Sequence, residues 1–480
     1  MDVLLPALLL VADFAVRFTL AAVIIIRSRG TPAVRLAWLV LLLAVPVVGV
    51  VAYLLFGEPR LGRRRVRRYL AAANTLRVRE PEYAATAPPV PADISAEYRQ
   101  IAHLAESVGG NIPQGGHTLE LYGDTDLFIQ ALVEDLNNAQ SSCHLLFYIF
   151  LTDHSSTRVA EALIQAVGRG VTCRVLADGV GSRGFLRSEL RQRLDAAGVR
   201  VVEALPANLA RMLLARIDLR NHRKIVVIDG VIGYTGSQNI ADAEFAIKPK
   251  YAPWVDAMVR LEGPVVRDLQ LLFVEDWHMD TGETLKDVLA IRPPPVPQGE
   301  TVQVIGTGPA SYNEAMVQMT LVTLHTATEE LIVTTPYFVP DEATSAALYT
   351  AALRGVEVSL VVPARNDSPL VAAASRSYYA KLLEAGVAIY EFRSGLLHAK
   401  TITVDRHLAM ITTANLDRRS FELNFEVSTM VYDSNFASQM RLMQKGYIDE
   451  SDRVSAAAWS ARGWPRQLVE NGLGMVSPLL

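Results

Sequence analysis

The sequence predicts an α/β fold with two pseudo-symmetric halves, each a mixed sheet flanked by helices, preceded by an N-terminal two-helix transmembrane hairpin. Three observations predict it. Residues 36–56 carry no charge, the pattern His-x-Lys-x4-Asp occurs twice, and a helix, a glycine and an apolar strand follow one another in both halves. Helices that alternate with apolar strands indicate sheets covered by helices, and a repeated unit indicates a duplicated structure.

The hairpin is predicted in residues 1–58, with helices at about 3–26 and 36–56. The second segment is long enough to span hydrocarbon, and aromatic residues lie near both of its ends. The first segment contains Asp13 and Arg17, whose i,i+4 spacing lets them pair. A signal peptide is the alternative, but a basic start and a small-residue cleavage site are both missing from the sequence.

Arginines are unequally distributed around the second predicted helix. The connector before it carries three (Arg27, Arg29 and Arg35), and the segment after it carries six (Arg60, Arg63, Arg64, Arg65, Arg67 and Arg68). The positive-inside rule therefore predicts that the large C-terminal part lies in the cytoplasm. The six arginines can also attract anionic headgroups, an interpretation compatible with the topological one.

Residues 59–115 are predicted to be a basic segment and a proline-interrupted linker. The two halves follow at 116–290 and 291–455. In each half a helix ends at a glycine, Gly170 or Gly355, and leads into an apolar strand. The tail at 456–480 combines tryptophan, leucine and arginine. Two predictions stay open for this tail: it packs on the protein, or it contacts a membrane interface.

Global composition excludes some functions. The chain of 480 residues has room for two or three domains, and its net charge of −4 does not indicate a nucleic-acid partner. The two cysteines, Cys143 and Cys173, lack the spacing of a metal site or a disulfide framework. We predict that they are small core residues in a reducing compartment.

The repeated motif predicts the chemistry. Alternate residues of a strand share a face, so each histidine projects together with its lysine: His222 with Lys224, and His398 with Lys400. An imidazole can attack phosphorus or donate a proton, and an ammonium can hold a non-bridging oxygen. A site between the halves would receive one such pair from each half and suits a phosphate ester.

Each motif continues into an aspartate and then a hydroxyl residue and an asparagine. These residues are Asp229, Ser237 and Asn239 in the first half, and Asp405, Thr413 and Asn415 in the second. The paired motifs, the segment at 55–63 and the Asn-Leu-Asp-x-Arg-Ser stretch at 415–420 resemble the phospholipase D superfamily, and within it the bacterial cardiolipin synthases.

The resemblance implies a two-step transfer of a phosphatidyl group. One histidine attacks the phosphorus of phosphatidylglycerol, glycerol leaves, and the hydroxyl of a second phosphatidylglycerol displaces the phosphatidyl-histidine to give cardiolipin. Carried onto this chain, His222 is the nucleophile and His398 the acid and base. The phosphate is held by the two lysines together with Asn239 and Asn415.

The resemblance also implies an acidic residue that orients each imidazole. Asp256 would serve the first half and Glu426 the second, and Ser237 and Thr413 belong to the same phosphate-binding or orienting set. Asp229 and Asp405 complete the catalytic signature, although their position at the ends of strands predicts a structural part. The family requires no metal and no cofactor.

One residue departs from the family pattern. Thr412 occupies a turn position where glycine is usual, which would strain the second half-site if the backbone there had positive φ. Two other functions stay open at this point: a membrane-bound phospholipase D that releases phosphatidic acid, and a membrane scaffold with a decayed site.

The resemblance implies partners and a location. The expected partners are phosphatidylglycerol and other anionic phospholipids in the membrane, and no nucleic acid; the oligomeric state is left open. The expected location is the bacterial inner membrane, as a multi-pass protein with its catalytic part in the cytoplasm.

Overall fold

The computed structural model describes residues 4–26, 32–57, 61–62, 65–71, 91–206, 216, 218–245, 247–309 and 314–475. Several predictions therefore lie outside the described residues. These are the arginines at 27, 29, 60, 63 and 64, residues 72–90 of the predicted linker and the last five residues. The chain divides into two compact units, residues 1–62 with 207–219, and residues 63–206 with 220–480.

The N-terminal unit contains three helices, α1 (Leu4–Ile26), α2 (Pro32–Ala44) and α3 (Pro46–Phe56). The single helix predicted at 36–56 is wrong. Val45 leaves the helical region (φ −131°, ψ 77°) and Pro46 starts a new helix, because proline lacks an N–H and disfavours helical backbone at the residue before it.

The two short helices also fold back on each other. The rings of Trp38 and Tyr53 meet edge to face with their centroids 5.5 Å apart, whereas a continuous helix would separate these residues by roughly 22 Å. Within α1, Arg17 and Asp13 form the predicted ion pair. In the ranges given above, no helix combines the length and the apolar character needed to cross a membrane.

The second unit alternates helices and strands, which confirms the α/β class. Its helices are α4 (Arg99–Gly109), α5 (Thr125–Asn138), α6 (His154–Gly168), α7 (Glu189–Ala197), α8 (Val266–Thr281), α9 (Ala315–Thr326), α10 (Glu342–Leu353), α11 (Pro369–Glu384), α12 (Arg418–Glu422), α13 (Ser434–Asp449), α14 (Ala456–Ser460) and α15 (Trp464–Met475).

The strands of the second unit are short and mostly buried. They are β1 (Gln114–Tyr122), β2 (Ser142–Phe147), β3 (Thr172–Asp178), β4 (Arg200–Ala204), β5 (Ile225–Ile228), β6 (Ile232–Gly236), β7 (Trp254–Val255), β8 (Met258–Glu262), β9 (Glu300–Thr307), β10 (Glu330–Thr334), β11 (Phe338–Val339), β12 (Glu357–Pro363), β13 (Ala388–Phe392), β14 (Leu396–Leu397), β15 (Thr401–Val404), β16 (Leu408–Thr412), β17 (Leu416–Asp417), β18 (Glu426–Val431) and β19 (Ser451–Arg453).

The main sheet repeats one strand order twice. From the outer edge inward, the first run has the order β4-β3-β2-β5-β6-β8-β1. The second run has the corresponding order β13-β12-β10-β15-β16-β18-β9. The structure modifies the prediction of one sheet per half, because β1 and β9 pair antiparallel and join both runs into a single sheet. Each is the inner edge strand of its run, so their free backbone groups satisfy each other. The predicted domain boundaries stay a prediction.

The core lies on both faces of this sheet. Gly170 and Gly355 adopt positive φ (92° and 93°) immediately after helices α6 and α10, which lets the chain reverse into the next strand without a Cβ clash. Cys143 and Cys173 are buried side by side on β2 and β3. The predicted core role of both cysteines is confirmed.

Candidate active site

Each motif histidine is held by backbone of the opposite half. The His222 N–H donates to the Phe425 carbonyl (2.9 Å), and the Phe425 N–H donates to the Arg220 carbonyl (2.9 Å). In the same manner, the His398 N–H donates to the Val255 carbonyl (2.7 Å), next to the parallel pair of β14 with β7. The two motifs are therefore brought to one place by exchanged short strands.

The imidazole–carboxylate pairs also cross between the halves. His222 Nδ1 lies 3.0 Å from Glu426 Oε2, and His398 Nδ1 lies 2.6 Å from Asp256 Oδ1. The expectation that Asp256 serves the first half and Glu426 the second is wrong. Asp256 follows β7, which pairs with β14 just before His398, and Glu426 follows Phe425, which bridges Asn221 just before His222. Each carboxylate therefore lies next to the histidine of the other half.

The hydroxyl residues hold these carboxylates. Ser237 Oγ donates to Asp256 Oδ1 (2.6 Å), and Thr413 Oγ1 donates to Glu426 Oε2 (2.5 Å). Each hydroxyl also accepts a backbone N–H, from Ala257 and Val427 respectively (both 2.9 Å). Ser237 and Thr413 therefore orient the groups that orient the imidazoles.

The two lysines are fully buried and lie close to their histidines. Lys224 Nζ donates to the His222 carbonyl (2.8 Å), and Lys400 Nζ donates to the His398 carbonyl (2.7 Å). Lys400 Nζ also lies 3.2 Å from His398 Nε2. Within the described part of the chain, Lys224 makes no corresponding bond to the His222 ring.

Burial and mutual charge set the protonation states of the basic groups. Burial lowers the pKa of His222 to about 4, although Glu426 opposes the shift, and it lowers the pKa of His398 as well. Burial and the charge of Lys400 lower the pKa of Lys224 to about 7. Burial lowers the pKa of Lys400 to about 8.

The carboxylates shift in the direction that keeps them charged. Burial by itself would raise the pKa of Asp256, but His398 and Lys400 bring it down to about 2. Burial is likewise outweighed at Glu426, where His222 and Lys224 lower the pKa. Because a carboxylate only accepts, each neutral imidazole carries its proton on Nδ1 and presents a lone pair on Nε2.

The two motif asparagines differ in their contacts. Asn239 Oδ1 accepts the backbone N–H of Ile149 (3.0 Å). The Asn415 backbone N–H donates to Ser420 Oγ (3.1 Å), and the buried Asn415 Oδ1 atom has no hydrogen-bond partner among the residues that the structure describes. The asparagines therefore lie at the site in both halves, in different hydrogen-bond environments.

The turn that contains Thr412 is not strained in the expected way. In the first half the corresponding Gly236 has φ +149°, and an added Cβ would lie 2.3 Å from the Ala257 carbonyl oxygen. Thr412 is not among the residues with positive φ. Its hydroxyl instead bonds Ser428 Oγ (2.8 Å). The turns of the two halves therefore differ in backbone conformation.

The motif aspartates are separated from the imidazoles by their strands. Asp229 accepts the backbone N–H groups of residues 140, 141 and 142, at 2.7–2.9 Å. Asp405 accepts those of residues 328, 329 and 330, all at 2.8 Å. Both aspartates therefore have a structural role, because each connects the end of its motif strand to the start of the neighbouring strand.

Several aromatic and charged residues at the site were missed from the sequence. The Tyr148 ring meets the His222 ring edge on, with centroids 5.0 Å apart, and the Trp254 ring covers His398 at 4.6 Å. Tyr148 directly follows β2, and a position after a strand of parallel type is a signal that could have found it. Arg223 forms a fully buried ion pair with Asp276 (2.9 Å), which anchors the His222 segment.

Comparison with known proteins decides the family. A family profile described as "Cardiolipin synthase, PLD-like domain" matches residues 132–275 and 321–444. The chain is 40% identical over 466 residues to cardiolipin synthase A of Serratia proteamaculans (strain 568), with 95% of each chain covered. This chain belongs to the cardiolipin synthase family. Cardiolipin synthase A of Pectobacterium carotovorum subsp. carotovorum (strain PC1) is likewise 40% identical over 470 residues, with 95% of each chain covered.

Two further matches concern the N-terminus and the fold. Residues 18–58 match a profile described as "Phospholipase_D-nuclease N-terminal". The solved structure of phosphatidylserine synthase from Haemophilus influenzae Rd KW20 superposes with a TM-score of 0.60, at 15% identity, over 79% of this chain and 100% of that chain. At that identity the superposition supports the shared fold alone. Among the described residues, no cluster of histidine, cysteine and carboxylate side chains is arranged to hold a metal.

Proposed function

We propose that the chain is a phosphatidyltransferase that converts two molecules of phosphatidylglycerol into cardiolipin and glycerol. The observation that carries this proposal is the crossed pair of imidazole–carboxylate couples, His222 with Glu426 and His398 with Asp256. Two imidazoles with unprotonated Nε2 atoms and two buried ammonium groups suit one phosphodiester. A second lipid hydroxyl completes the reaction that the family performs.

His222 is the proposed nucleophile. His398 Nε2 accepts a hydrogen bond from Lys400, which engages the lone pair needed for attack, whereas His222 lies beside Lys224 without such a bond. Attack forms an Nε2–phosphorus bond and breaks the phosphorus–oxygen bond to glycerol. The departing glycerol oxygen takes a proton through His398, which Lys400 replenishes because its pKa near 8 is close to neutrality.

The second step returns both groups to their starting state. The hydroxyl of a second phosphatidylglycerol gives its proton to His398 Nε2, which returns it to Lys400, and the hydroxyl oxygen forms a bond to phosphorus while the phosphorus–nitrogen bond breaks. Lys224 stabilises the charge on the non-bridging oxygens in both steps, and Lys400 does so whenever it carries its proton. Asn239 and Asn415 are proposed to lie against the same phosphate.

The decisive measurement uses the full chain reconstituted with phosphatidylglycerol as sole lipid substrate. We expect one cardiolipin for each free glycerol, little phosphatidic acid, and loss of turnover in His222→Ala and His398→Ala. Dominant phosphatidic acid would establish a hydrolytic phospholipase D instead. Turnover that survives in both variants would establish that neither imidazole reacts, and absence of turnover in the parent chain would indicate a scaffold with a decayed site.

The nucleophile is tested by trapping the intermediate. In the His398→Ala variant, an activated substrate with a p-nitrophenol leaving group needs no acid, so a phosphatidyl adduct should accumulate on His222. Mass spectrometry of the digested protein locates the adduct. An adduct on a residue other than His222, in a variant that still releases p-nitrophenol, would overturn the assignment.

The membrane location is part of the proposal. Its support is the charge-free composition of residues 36–56 and the excess of arginines after them, which favours a cytoplasmic catalytic unit at the inner membrane of a bacterium. Release of the full chain from membranes by carbonate or high salt would contradict an embedded N-terminal unit. Anionic phospholipids are the expected partners of the arginines that follow residue 56.

A further inference from the structure

The last described helix, α15 (Trp464–Met475), has two different faces. One face packs on α11, where Gly474 approaches so closely that an added Cβ would lie 2.5 Å from Ser377 Oγ. The buried Glu470 fixes this face through bonds from Arg462 and Arg466, both at 2.9 Å. The helix is therefore a docked element of the catalytic unit.

The other face of α15 is apolar and open. Its large apolar side chains are exposed by 58–84%: Trp464, Leu468, Val469 and Met475. Positions four and eleven residues apart lie on one side of a helix, so Trp464, Leu468 and Met475 form a stripe. A tryptophan next to arginines and leucines is typical of helices that lie at a membrane interface.

Helix α11 connects this stripe to the loop that covers His398. Asp367, just before α11, accepts a bond from Lys248 (2.6 Å). Lys248 belongs to the loop whose Phe245 stacks on Trp254, the residue that covers His398. Ser377 and Asp367 are ten residues apart, roughly 15 Å along a helix. Ile247 in this loop and Leu370 at the start of α11 are exposed apolar residues.

We infer that the active site opens beside this loop, and that α15 is a bilayer-docking helix that places this entrance against the membrane holding the substrate. The argument for a bilayer, rather than a second copy of the chain, rests on the proposed lipid substrate. Moving the acyl chains of a phospholipid through water would cost about 0.8 kcal/mol for each CH2 group, so the entrance must meet the bilayer directly. An exposed apolar stripe beside that entrance supplies the contact.

The test uses the full chain reconstituted in vesicles of phosphatidylcholine and phosphatidylglycerol. Leu468→Cys is labelled with an environment-sensitive fluorophore, and Leu442→Cys on α13 is the matched control, because Leu442 is 74% exposed. The native Cys143 and Cys173 are buried and should not react. We expect a blue shift at position 468 and loss of its fluorescence when brominated lipids replace ordinary ones, with neither change at position 442.

Two results would overturn the inference. Equal behaviour at both positions would mean that α15 has no special relation to the bilayer. A blue shift at 468 without quenching by brominated lipids would mean that protein covers the stripe, either a second copy or another segment of this chain. Because the readout does not require turnover, failure of the proposed reaction would leave this test interpretable.

A kinetic variant gives an independent readout. The double variant Trp464→Ser with Leu468→Ser should raise the apparent KM for phosphatidylglycerol in vesicles and leave turnover of soluble short-chain phosphatidylglycerol unchanged. Unchanged kinetics on vesicles would contradict docking. Equal loss on both substrates would also contradict it, because a docking helix acts only at a surface.

Discussion

The two half-sites share a skeleton but not their chemistry. In both, a strand of the opposite half holds the histidine, a carboxylate of the opposite half binds Nδ1, and a hydroxyl holds that carboxylate. They differ at Nε2, which accepts a lysine bond at His398 only. They differ also in the ring that covers the imidazole, Tyr148 on one side and Trp254 on the other.

This comparison shows how a duplicated fold can perform an asymmetric reaction. Duplication supplies two equivalent imidazoles, but transfer requires one to attack and the other to move protons. A single lysine contact is enough to make the two nitrogens inequivalent, because it engages one lone pair and leaves the other available. Because the carboxylates are exchanged, each half taken alone would lack the carboxylate partner of its histidine.

The largest expected effect tests the crossed pairing. Glu426→Gln should lower turnover on the order of 10³-fold, because the amide no longer fixes the imidazole tautomer, and Asp256→Asn should do the same with phosphatidylglycerol. With a p-nitrophenol leaving group, Asp256→Asn should release p-nitrophenol normally while Glu426→Gln remains slow.

This outcome would show that Glu426 acts through His222 and that Asp256 acts through His398, each in the opposite half. The reverse pattern, with Asp256→Asn slow on the activated substrate, would assign Asp256 to the nucleophile and break the comparison. Glu384→Gln, at the exposed end of α11, is the matched control and should behave as the parent enzyme.

The lysines give the next largest effect. Lys224→Met removes one phosphate contact and should lower turnover on the order of 10²-fold. Lys400→Met also removes the bond to His398 Nε2, so we expect a loss about tenfold greater for phosphatidylglycerol. Steady-state rates in vesicles measure both, and Lys445→Met, outside the site, is the control. Equal losses in both variants would show that the contact between Lys400 Nζ and His398 Nε2 does not contribute to catalysis.

The pH dependence follows from the shifted pKa values. His222 must be unprotonated, and its pKa of about 4 places the acid limb well below that of an ordinary histidine. Lys224 and Lys400 must both be protonated, so kcat/KM should fall as pH rises through 7 to 8, and by about 100-fold for each pH unit above 8 because two protons are lost. A profile measured with vesicles checks both limbs, and a flat rate to pH 9 would contradict the lysine assignment.

The same histidines predict how stability depends on pH. Their folded pKa values lie below that of the unfolded chain, so the unfolded state binds more protons below about pH 6.5. Stability should therefore decrease as pH falls from 6.5 towards 4. Thermal unfolding over this range checks the sign, and it also defines where the acid limb of activity can be measured.

The smallest effect compares the two turns. Thr412→Ser keeps the hydroxyl, which bonds Ser428, Val427 and Ala414, and should lower the free energy of unfolding by about 1 kcal/mol for the lost methyl group, with activity retained. Gly236→Ala should destabilise by about 3 kcal/mol, because positive φ and the close Ala257 carbonyl both oppose a Cβ. Chemical denaturation of both variants measures the difference. Equal destabilisation would show that the two turns have the same backbone requirement.

The motif histidines and lysines could be found from the sequence because their chemistry is local. The i,i+2 spacing keeps His222 close to Lys224, although the structure places both residues directly before β5 and not in the strand itself. The structural role of Asp229 and Asp405 could also be predicted from the sequence, because a carboxylate in the turn after a short strand can accept bonds from backbone N–H groups there. The α/β class followed from the same periodicity.

The sequence by itself determined that each motif histidine would lie close to its lysine, because the two residues are only two positions apart. It also contained the cause of the helix break at Val45, since Pro46 disfavours helical backbone at the residue before it. Only the tertiary structure decided which carboxylate serves which histidine, since the partners are 204 and 142 residues apart. It also decided that β1 and β9 join two runs of strands into one sheet. These pairings depend on contacts between distant segments, and no local pattern encodes them.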